Sequence, residues 1–140
     1  VLIMANIELK RGQKAQVDIT FKNSAGDTVD FSSGHSATLT IRKKSVSGSV
    51  EGEVVDSLNS GTDGSPATGN NRITFVHGPT QDPATTDNIQ LKWSTANATA
   101  LPNETLTVFG DLKIKKTSGS DSGEVIHSFR LTFDIIPEII

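Results

Sequence analysis

The sequence predicts an all-β fold, a single-domain antiparallel β-sandwich of two sheets spanning residues 1–140. The first observation is that apolar and polar residues alternate over many short segments, which is the period of a strand with one face in water. The second is that Gly, Ser, Thr, Asn and Asp separate these segments as turn signals. The third is size, because 140 residues with 34% hydrophobic content fit one domain.

Six segments have useful strand length, and each has an inward row of apolar residues. They are Ala15–Phe21, Ala37–Ile41, a short run at Ile73 and Phe75, Ile89–Trp93, Leu106–Ile114 and His127–Ile135. Weaker strand candidates lie at Ile7–Lys10 and Glu53–Leu58. Clean alternation implies sheets with one solvated face, so we expect antiparallel pairing throughout.

The segments between the strands carry their own signals. Asn59–Asp87 is rich in Gly, Pro, Asn and Ser, which predicts a long polar loop region that includes one short strand. Thr117–Gly123 predicts a hairpin loop between the last two strands. One short helix is predicted near Ser94–Leu101, where Ser94 can act as the N-cap.

Charge and composition exclude several classes of partner. The net charge of −3 provides no basic field, so neither nucleic acid nor an anionic membrane surface is an expected partner. The chain lacks the run of roughly 20 apolar residues that a membrane helix needs. It also has no cysteine, which excludes disulfides and thiolate metal sites.

The residues that could carry chemistry do not form a catalytic or metal-binding motif. None of the three histidines is paired with another ligand at metal-binding spacing: His35, His77 and His127. His127 is on the inward side of its strand, where ring packing is the preferred interpretation. Four aspartates in loop-like regions lack the spacing of a calcium loop: Asp56, Asp63, Asp82 and Asp87. We therefore expect no enzyme activity, no cofactor and no metal.

Two parts of the sequence carry a family resemblance. The opening "IELKRGQKAQVDITFKNSAGDTVDFSSGHSATLTIRKK" resembles the start of the N-terminal domain of phage upper baseplate proteins and related tail-associated modules. The shared features are a short strand, "KRG", a hydrophobic strand, a glycine turn, a "V-D-F" step and an "A-x-L-x-I-R" strand. The later segments "ALPNETLTVFGDLKI" and "GEVIHSFRLTFDIIPEI" resemble the end of the same domain.

The resemblance implies an immunoglobulin-like sandwich and a non-enzymatic virion role. It implies a structural or assembly protein of tail, baseplate or neck adaptor type, located in the virion and made in the host bacterial cytoplasm. The expected partners are other virion proteins, and we expect a homo-oligomer within the virion. The alternatives are a receptor- or carbohydrate-binding module of a phage fibre or bacterial surface protein, a capsid decoration (cement) protein, or a generic interaction domain.

The termini supply the candidate contact residues. The tail "IHSFRLTFDIIPEII" predicts a last core strand whose inward residues are Phe129, Leu131, Phe133 and Ile135. The alternation then fails, and Pro137 cannot occupy a central ladder position. We therefore expect residues 1–6 and 136–140 to be contact termini, with these partner contacts: Val1, Leu2, Ile3, Ile136, Pro137, Ile139 and Ile140.

Overall fold

The computed structural model describes residues 6–22, 24–26, 29, 31, 34–44, 52–60, 72–75 and 89–138. In these ranges the chain is mostly β, with two sheets and one short helix, and one sheet is curled into a half-barrel. The prediction of an all-β fold with two sheets is confirmed.

All six expected strands and both weaker candidates are present. The five-stranded sheet has the spatial order β1 (Ile7–Lys10), β8 (Val125–Ile136), β7 (Leu106–Lys116), β3 (His35–Lys43) and β4 (Val54–Asn59). The three-stranded sheet has the order β2 (Ala15–Ile19), β6 (Ile89–Trp93) and β5 (Ile73–Phe75). Of the predicted loop region Asn59–Asp87, residues 61–71 and 76–87 lie outside the described residues.

The longest pairing is the hairpin of β7 and β8, which pair antiparallel from Leu106 opposite Ile135 to Lys115 opposite Val125. The predicted loop at residues 117–123 connects them. Gly123 donates its backbone N–H to the carbonyl of Lys116 at 2.8 Å, which closes the turn. Gly123 has φ 88°, a left-handed conformation that suits glycine.

The expectation of purely antiparallel pairing is wrong for one pair. Strand β1 pairs in parallel with β8, from Ile7 opposite Phe133 to Lys10 opposite Ile136. Alternation reports which face of a strand is buried, and it carries no information on strand direction. After β1 the chain turns at Gly12, which has φ 80°, and enters the other sheet as β2, so β1 forms no hairpin in its own sheet.

One core lies between the two sheets. The buried apolar side chains of both sheets and of the helix form a single cluster. Trp93 of β6 and Phe133 of β8 meet across it in an edge-to-face contact, with ring centroids 6.0 Å apart. On β8, Leu131, Phe133 and Ile135 are buried, as the alternation predicts. Phe129 is half-buried and stacks on Phe21 at 5.7 Å between ring centroids.

The short helix α1 (Thr95–Thr99) lies where the sequence predicts it. Ser94 is its N-cap, and its hydroxyl accepts the backbone N–H of Asn97 at 3.1 Å. The Asn97 side chain accepts the backbone N–H of Ser94 at 3.1 Å, which completes a capping box. No helix in the described ranges has the length and apolarity needed to cross a membrane.

Candidate functional site

Strands β1 and β2 are the outer strands of their respective sheets. The chain passes from one to the other through a turn at residues 11–13 followed by Lys14, and the two strands contact each other although they belong to different sheets. Both expose polar and charged side chains. We call these exposed residues the contact edge: Glu8, Lys10, Lys14, Gln16 and Asp18.

Arg11 fixes this turn to the rest of the molecule. Its backbone N–H donates to the carbonyl of Ile136 at 2.9 Å. Its Nε donates to the carbonyl of Leu101 at 3.0 Å, and its Nη1 pairs with the Glu138 carboxylate at 2.8 Å. The turn is therefore held at the end of β8 and beside the segment that follows α1. These bonds fix the position of the contact edge relative to the rest of the fold.

The backbone of β2 has an open side. Lys92 of β6, which lies opposite Gln16, donates its N–H to the carbonyl of Arg72, on the side of β5. In an antiparallel ladder, Gln16 and Lys92 are therefore a pair without mutual hydrogen bonds. The N–H and C=O of Gln16 point away from β6, and alternation orients Lys14 and Asp18 likewise. Within the described ranges, nothing bonds the outward groups of these three residues.

The edge of β1 is shorter and partly occupied. The N–H of Arg11 points toward β8, so alternate residues Lys10 and Glu8 direct their backbone groups outward. The carbonyl of Lys10 accepts the N–H of Gln13 at 3.1 Å inside the turn. The side chains of Lys10 and Glu8 also form an exposed ion pair at 3.8 Å. Strand β1 therefore has fewer free groups than β2.

Lys14, the residue before β2, and Asp18 of β2 are exposed charged residues. Among the described residues, neither Lys14 nor Asp18 takes part in an ion pair. Gln16 lies between them and donates its Nε2 to Oδ1 of Asp18 at 3.0 Å. The exposed cation Lys14 and the exposed anion Asp18 therefore lie two residues before and two residues after Gln16.

Two grooves adjoin the contact edge. One of about 430 Å³ runs along the start of β2 and is lined in part by Ala15, Trp93 and Ser94. The other, of about 170 Å³, lies between β1 and β2 and is lined in part by Gln13 and Lys14. Neither brings together a set of catalytic side chains. Their position beside open backbone groups suits contact with an extended polypeptide.

The candidate contact residues at the termini are only partly described. Ile136 is the last residue of β8, half-buried opposite Lys10, and the half-buried Pro137 follows it. Glu138 donates its backbone N–H to Oδ1 of Asn103 at 3.1 Å. The other candidates lie outside the described residues: Val1, Leu2, Ile3, Ile139 and Ile140.

The parallel pairing separates the two ends of the chain. The chain enters β1 beside Phe133 and leaves β8 beside Lys10, at opposite ends of the four-residue β1. At the entry, Asn6 donates its side-chain amide to the Asp134 carboxylate at 3.2 Å. The two terminal segments therefore reach the described fold at different points, and their role as partner contacts stays a prediction.

A polar cluster connects β4 of the five-stranded sheet to the three-stranded sheet. The carboxylate of Asp56 on β4 accepts a hydrogen bond from Arg72 Nη2 at 2.6 Å and another from Trp93 Nε1 at 2.9 Å. Arg72 also donates to the carbonyl of Ser57 at 3.2 Å. The guanidinium lies over the Trp93 ring, 5.9 Å from its centroid. The cluster holds the β4 edge against the three-stranded sheet.

Sequence reasoning missed this cluster. It placed Asp56 both in the weaker strand candidate Glu53–Leu58 and among the loop-like aspartates, and the strand assignment is the correct one. Asp56 is a half-buried strand residue, and its partner Arg72 is the buried charged residue of the described ranges. No local signal predicts their contact, because a long polar segment separates them in sequence. Asp63, Asp82 and Asp87 lie outside the described residues.

His127 packs its ring, as the sequence predicts. The ring centroid lies 4.5 Å from that of Phe21 and 5.8 Å from that of Phe31. Burial in this aromatic cluster lowers the pKa of His127 below 6.5, and the nearby His35 lowers it further. Within the described ranges, no group of His, Asp and Glu side chains is placed to hold a metal ion.

The contact edge therefore combines open backbone groups, exposed charges and a turn held in place by Arg11. No protein-family model matches the chain, and no curated protein matches it. The residues of the contact edge are consequently the main structural basis for a functional proposal.

Proposed function

We propose that this chain is a non-enzymatic structural and assembly protein of a bacteriophage virion, of tail, baseplate or neck adaptor type. In this proposal it is made in the host bacterial cytoplasm, is located in the virion, and contacts other virion proteins. Its two sheets form an immunoglobulin-like β-sandwich. The observation that carries the contact function is the open outer side of β2, supported by the adjoining edge of β1.

An open strand side suits protein contact for a physical reason. Unpaired N–H and C=O groups in a row provide a template for another strand, and main-chain hydrogen bonds then supply affinity. These groups belong to Gln16 and Asp18 of β2 and to Lys14 just before it, all of which are exposed. The hydrogen bonds of Arg11 hold the adjoining turn in place before any partner binds, which limits the entropy lost on association.

The choice of a virion as the assembly rests on the resemblance of the two ends of the chain to phage baseplate-associated modules. The opening segment with that resemblance supplies β1, β2 and β3, and the closing segment supplies β7 and β8. The parallel pairing of β1 with β8 makes the two segments neighbours in one sheet.

The test is direct identification of the chain in purified virions. We expect mass spectrometry of virions purified from the host that carries the gene to detect the chain. We also expect the purified chain to co-sediment with a tail, neck, baseplate or capsid protein encoded nearby. A chain that is missing from the virions and binds none of these proteins would show that the proposal is wrong.

The role of the terminal residues is tested in the same assay. We expect Ile139→Ser combined with Ile140→Ser to weaken co-sedimentation while leaving the unfolding midpoint of the isolated chain unchanged. Thr132→Ser, an exchange on the solvent side of β8, is the matched control. Unchanged co-sedimentation of the Ile139 and Ile140 variant would show that these residues are not part of the contact.

A further inference from the structure

We propose that the partner at the open side of β2 is a second copy of this chain. The two β2 strands pair antiparallel about a two-fold axis through Gln16 and join two three-stranded sheets into one sheet of six strands. The inference deepens the proposed contact function by naming its partner. It depends only on the geometry of β2 and stands whether or not the assembly is a virion.

The backbone of β2 supports this pairing without rearrangement. Gln16 directs its N–H and C=O outward, so two copies of Gln16 facing each other exchange both backbone hydrogen bonds. Lys14 and Asp18 also direct their backbone groups outward and continue the ladder on either side. A two-fold axis makes the interface isologous, which closes the assembly at two copies.

In this register the charged residues Lys14 and Asp18 of one copy match those of the other. With Gln16 opposite Gln16, Lys14 of each copy lies directly opposite Asp18 of the other. Directly opposed side chains in an antiparallel pair are close enough to interact, and opposite charges there are favourable. Both residues lack an ion-pair partner among the described residues, so each dimer gains two such pairs without breaking an existing one.

The apolar residues of β2 also match in this register. Ala15 of each copy lies opposite Val17 of the other, and these pairs without mutual hydrogen bonds have the closer side chains. Ala15 and Val17 are only half-buried in the single chain although they pack against its core. A second copy covers their remaining exposed surface, which is the hydrophobic contribution to the dimer.

Other partners and registers fit less well. A two-fold register centred on Val17 places Asp18 opposite Gln16 and leaves Lys14 without a carboxylate. Pairing through β1 is disfavoured because Glu8 and Lys10 already pair with each other and the carbonyl of Lys10 is occupied. Compared with these two, pairing through β2 centred on Gln16 places opposite charges opposite each other and apolar residues opposite apolar residues.

A charge exchange tests the register. In the variant Lys14→Asp, positions 14 and 18 are both acidic, and in Asp18→Lys both are basic. Because these positions face each other across the dimer, a dimer of either variant places like charges opposite each other. We expect each variant to dimerise about tenfold more weakly than the natural chain. When the two variants are mixed, every acidic position faces a basic one, and we expect mixed dimers to form with near-natural affinity.

Sedimentation equilibrium measures the dissociation constants, and native mass spectrometry separates mixed dimers from the others because the two variants differ in mass. Lys113→Asp, at an exposed position on the five-stranded sheet, is the matched control, since it makes the same charge change away from β2. We expect its dissociation constant to equal that of the natural chain.

A variant of the backbone tests dimer formation without changing any charge. The backbone N–H that Gln16→Pro removes points outward, so the ladder between β2 and β6 is retained and the chain folds. We expect this variant to be monomeric with an unchanged circular dichroism spectrum. A natural chain that stays monomeric at the highest soluble concentration would overturn the proposal. So would a dimer that Gln16→Pro and the charge variants leave intact.

Discussion

The two sheets of this molecule share one core but are held in place differently. In the five-stranded sheet, β7 and β8 are 11 and 12 residues long and form a local hairpin. In the three-stranded sheet the strands have only 5, 5 and 3 residues, and β2 pairs with the distant β6. The long hairpin is stabilised by its own ladder. The short strands depend on core packing and on the Asp56 cluster, so the two sheets should respond differently to mutation.

The largest expected effect is the loss of a core ring. Phe133→Ala in β8 should lower the free energy of unfolding by about 3–5 kcal/mol, because a fully buried ring in a rigid ladder leaves a cavity that cannot collapse. Phe75→Ala in the three-residue β5 should cost less, about 3 kcal/mol, since its surroundings relax more easily. Urea unfolding of both variants measures the difference. Equal losses would contradict the contrast between the sheets.

The second effect concerns the cluster that fastens the three-stranded sheet. Asp56→Ala should cost about 3 kcal/mol, because Arg72 then remains buried without its carboxylate. Nε and Nη1 of Arg72 already lack hydrogen-bond partners among the described residues, so no other group there can replace Asp56. Arg72→Met should cost less, about 1 kcal/mol, since Asp56 keeps the indole N–H of Trp93.

A double-mutant cycle checks this interpretation. The variant with both Asp56→Ala and Arg72→Met should be more stable than the sum of the single losses predicts, because no unpaired charge stays buried. Additive losses would show that the two side chains do not stabilise the sheet as a pair.

The third effect is overpacking in the five-stranded sheet. A Cβ added at Gly110 of β7 would lie 2.8 Å from Leu39 Cδ1 and 2.9 Å from Phe133 Cε2. Gly110→Ala should therefore destabilise the fold by about 1–3 kcal/mol. Gly119→Asn is the control, because Gly119 has φ 83° with open space around it, a conformation that asparagine tolerates. A thermal melt in which Gly110→Ala matches the natural chain would contradict the close packing.

The smallest effect is a pH dependence from His127. Its pKa in the folded protein lies below 6.5, first because of burial and then because of His35. As pH falls below 6.5, the unfolded chain binds a proton that the folded chain resists, so stability decreases until pH passes the folded pKa. His127→Gln should flatten this part of the stability profile measured between pH 7 and 5. An equally steep profile in the variant would assign the dependence to another group.

The alternation of apolar residues predicted the strands well because it reports directly on burial. It identified Leu131, Phe133 and Ile135 as inward residues of β8, and all three are buried. The N-cap signal at Ser94 also succeeded, since a cap is a local interaction between residues close in sequence. In both cases the physical cause lies within a few residues of the signal.

Features that depend on contacts between distant parts of the chain could not be predicted from the sequence. Strand direction in the pair of β1 and β8, and the position of β2 at the outside of its sheet, follow from topology rather than from periodicity. The contact of Asp56 with Arg72 is likewise tertiary. The contact edge could therefore not be predicted, although the exposed residues of β2 already alternate with apolar ones in the sequence.

The parallel pairing of β1 with β8 has a consequence for how the chain folds. The bonds from Asn6 to Asp134 connect positions 128 residues apart, so the five-stranded sheet cannot be completed until the β8 segment has left the ribosome. Such distant contacts slow folding, because a long loop must close before they form. We expect the local hairpin of β7 and β8 to form before β1 joins it. Until then Leu9, which is buried in the finished fold, stays exposed to solvent and to chaperones.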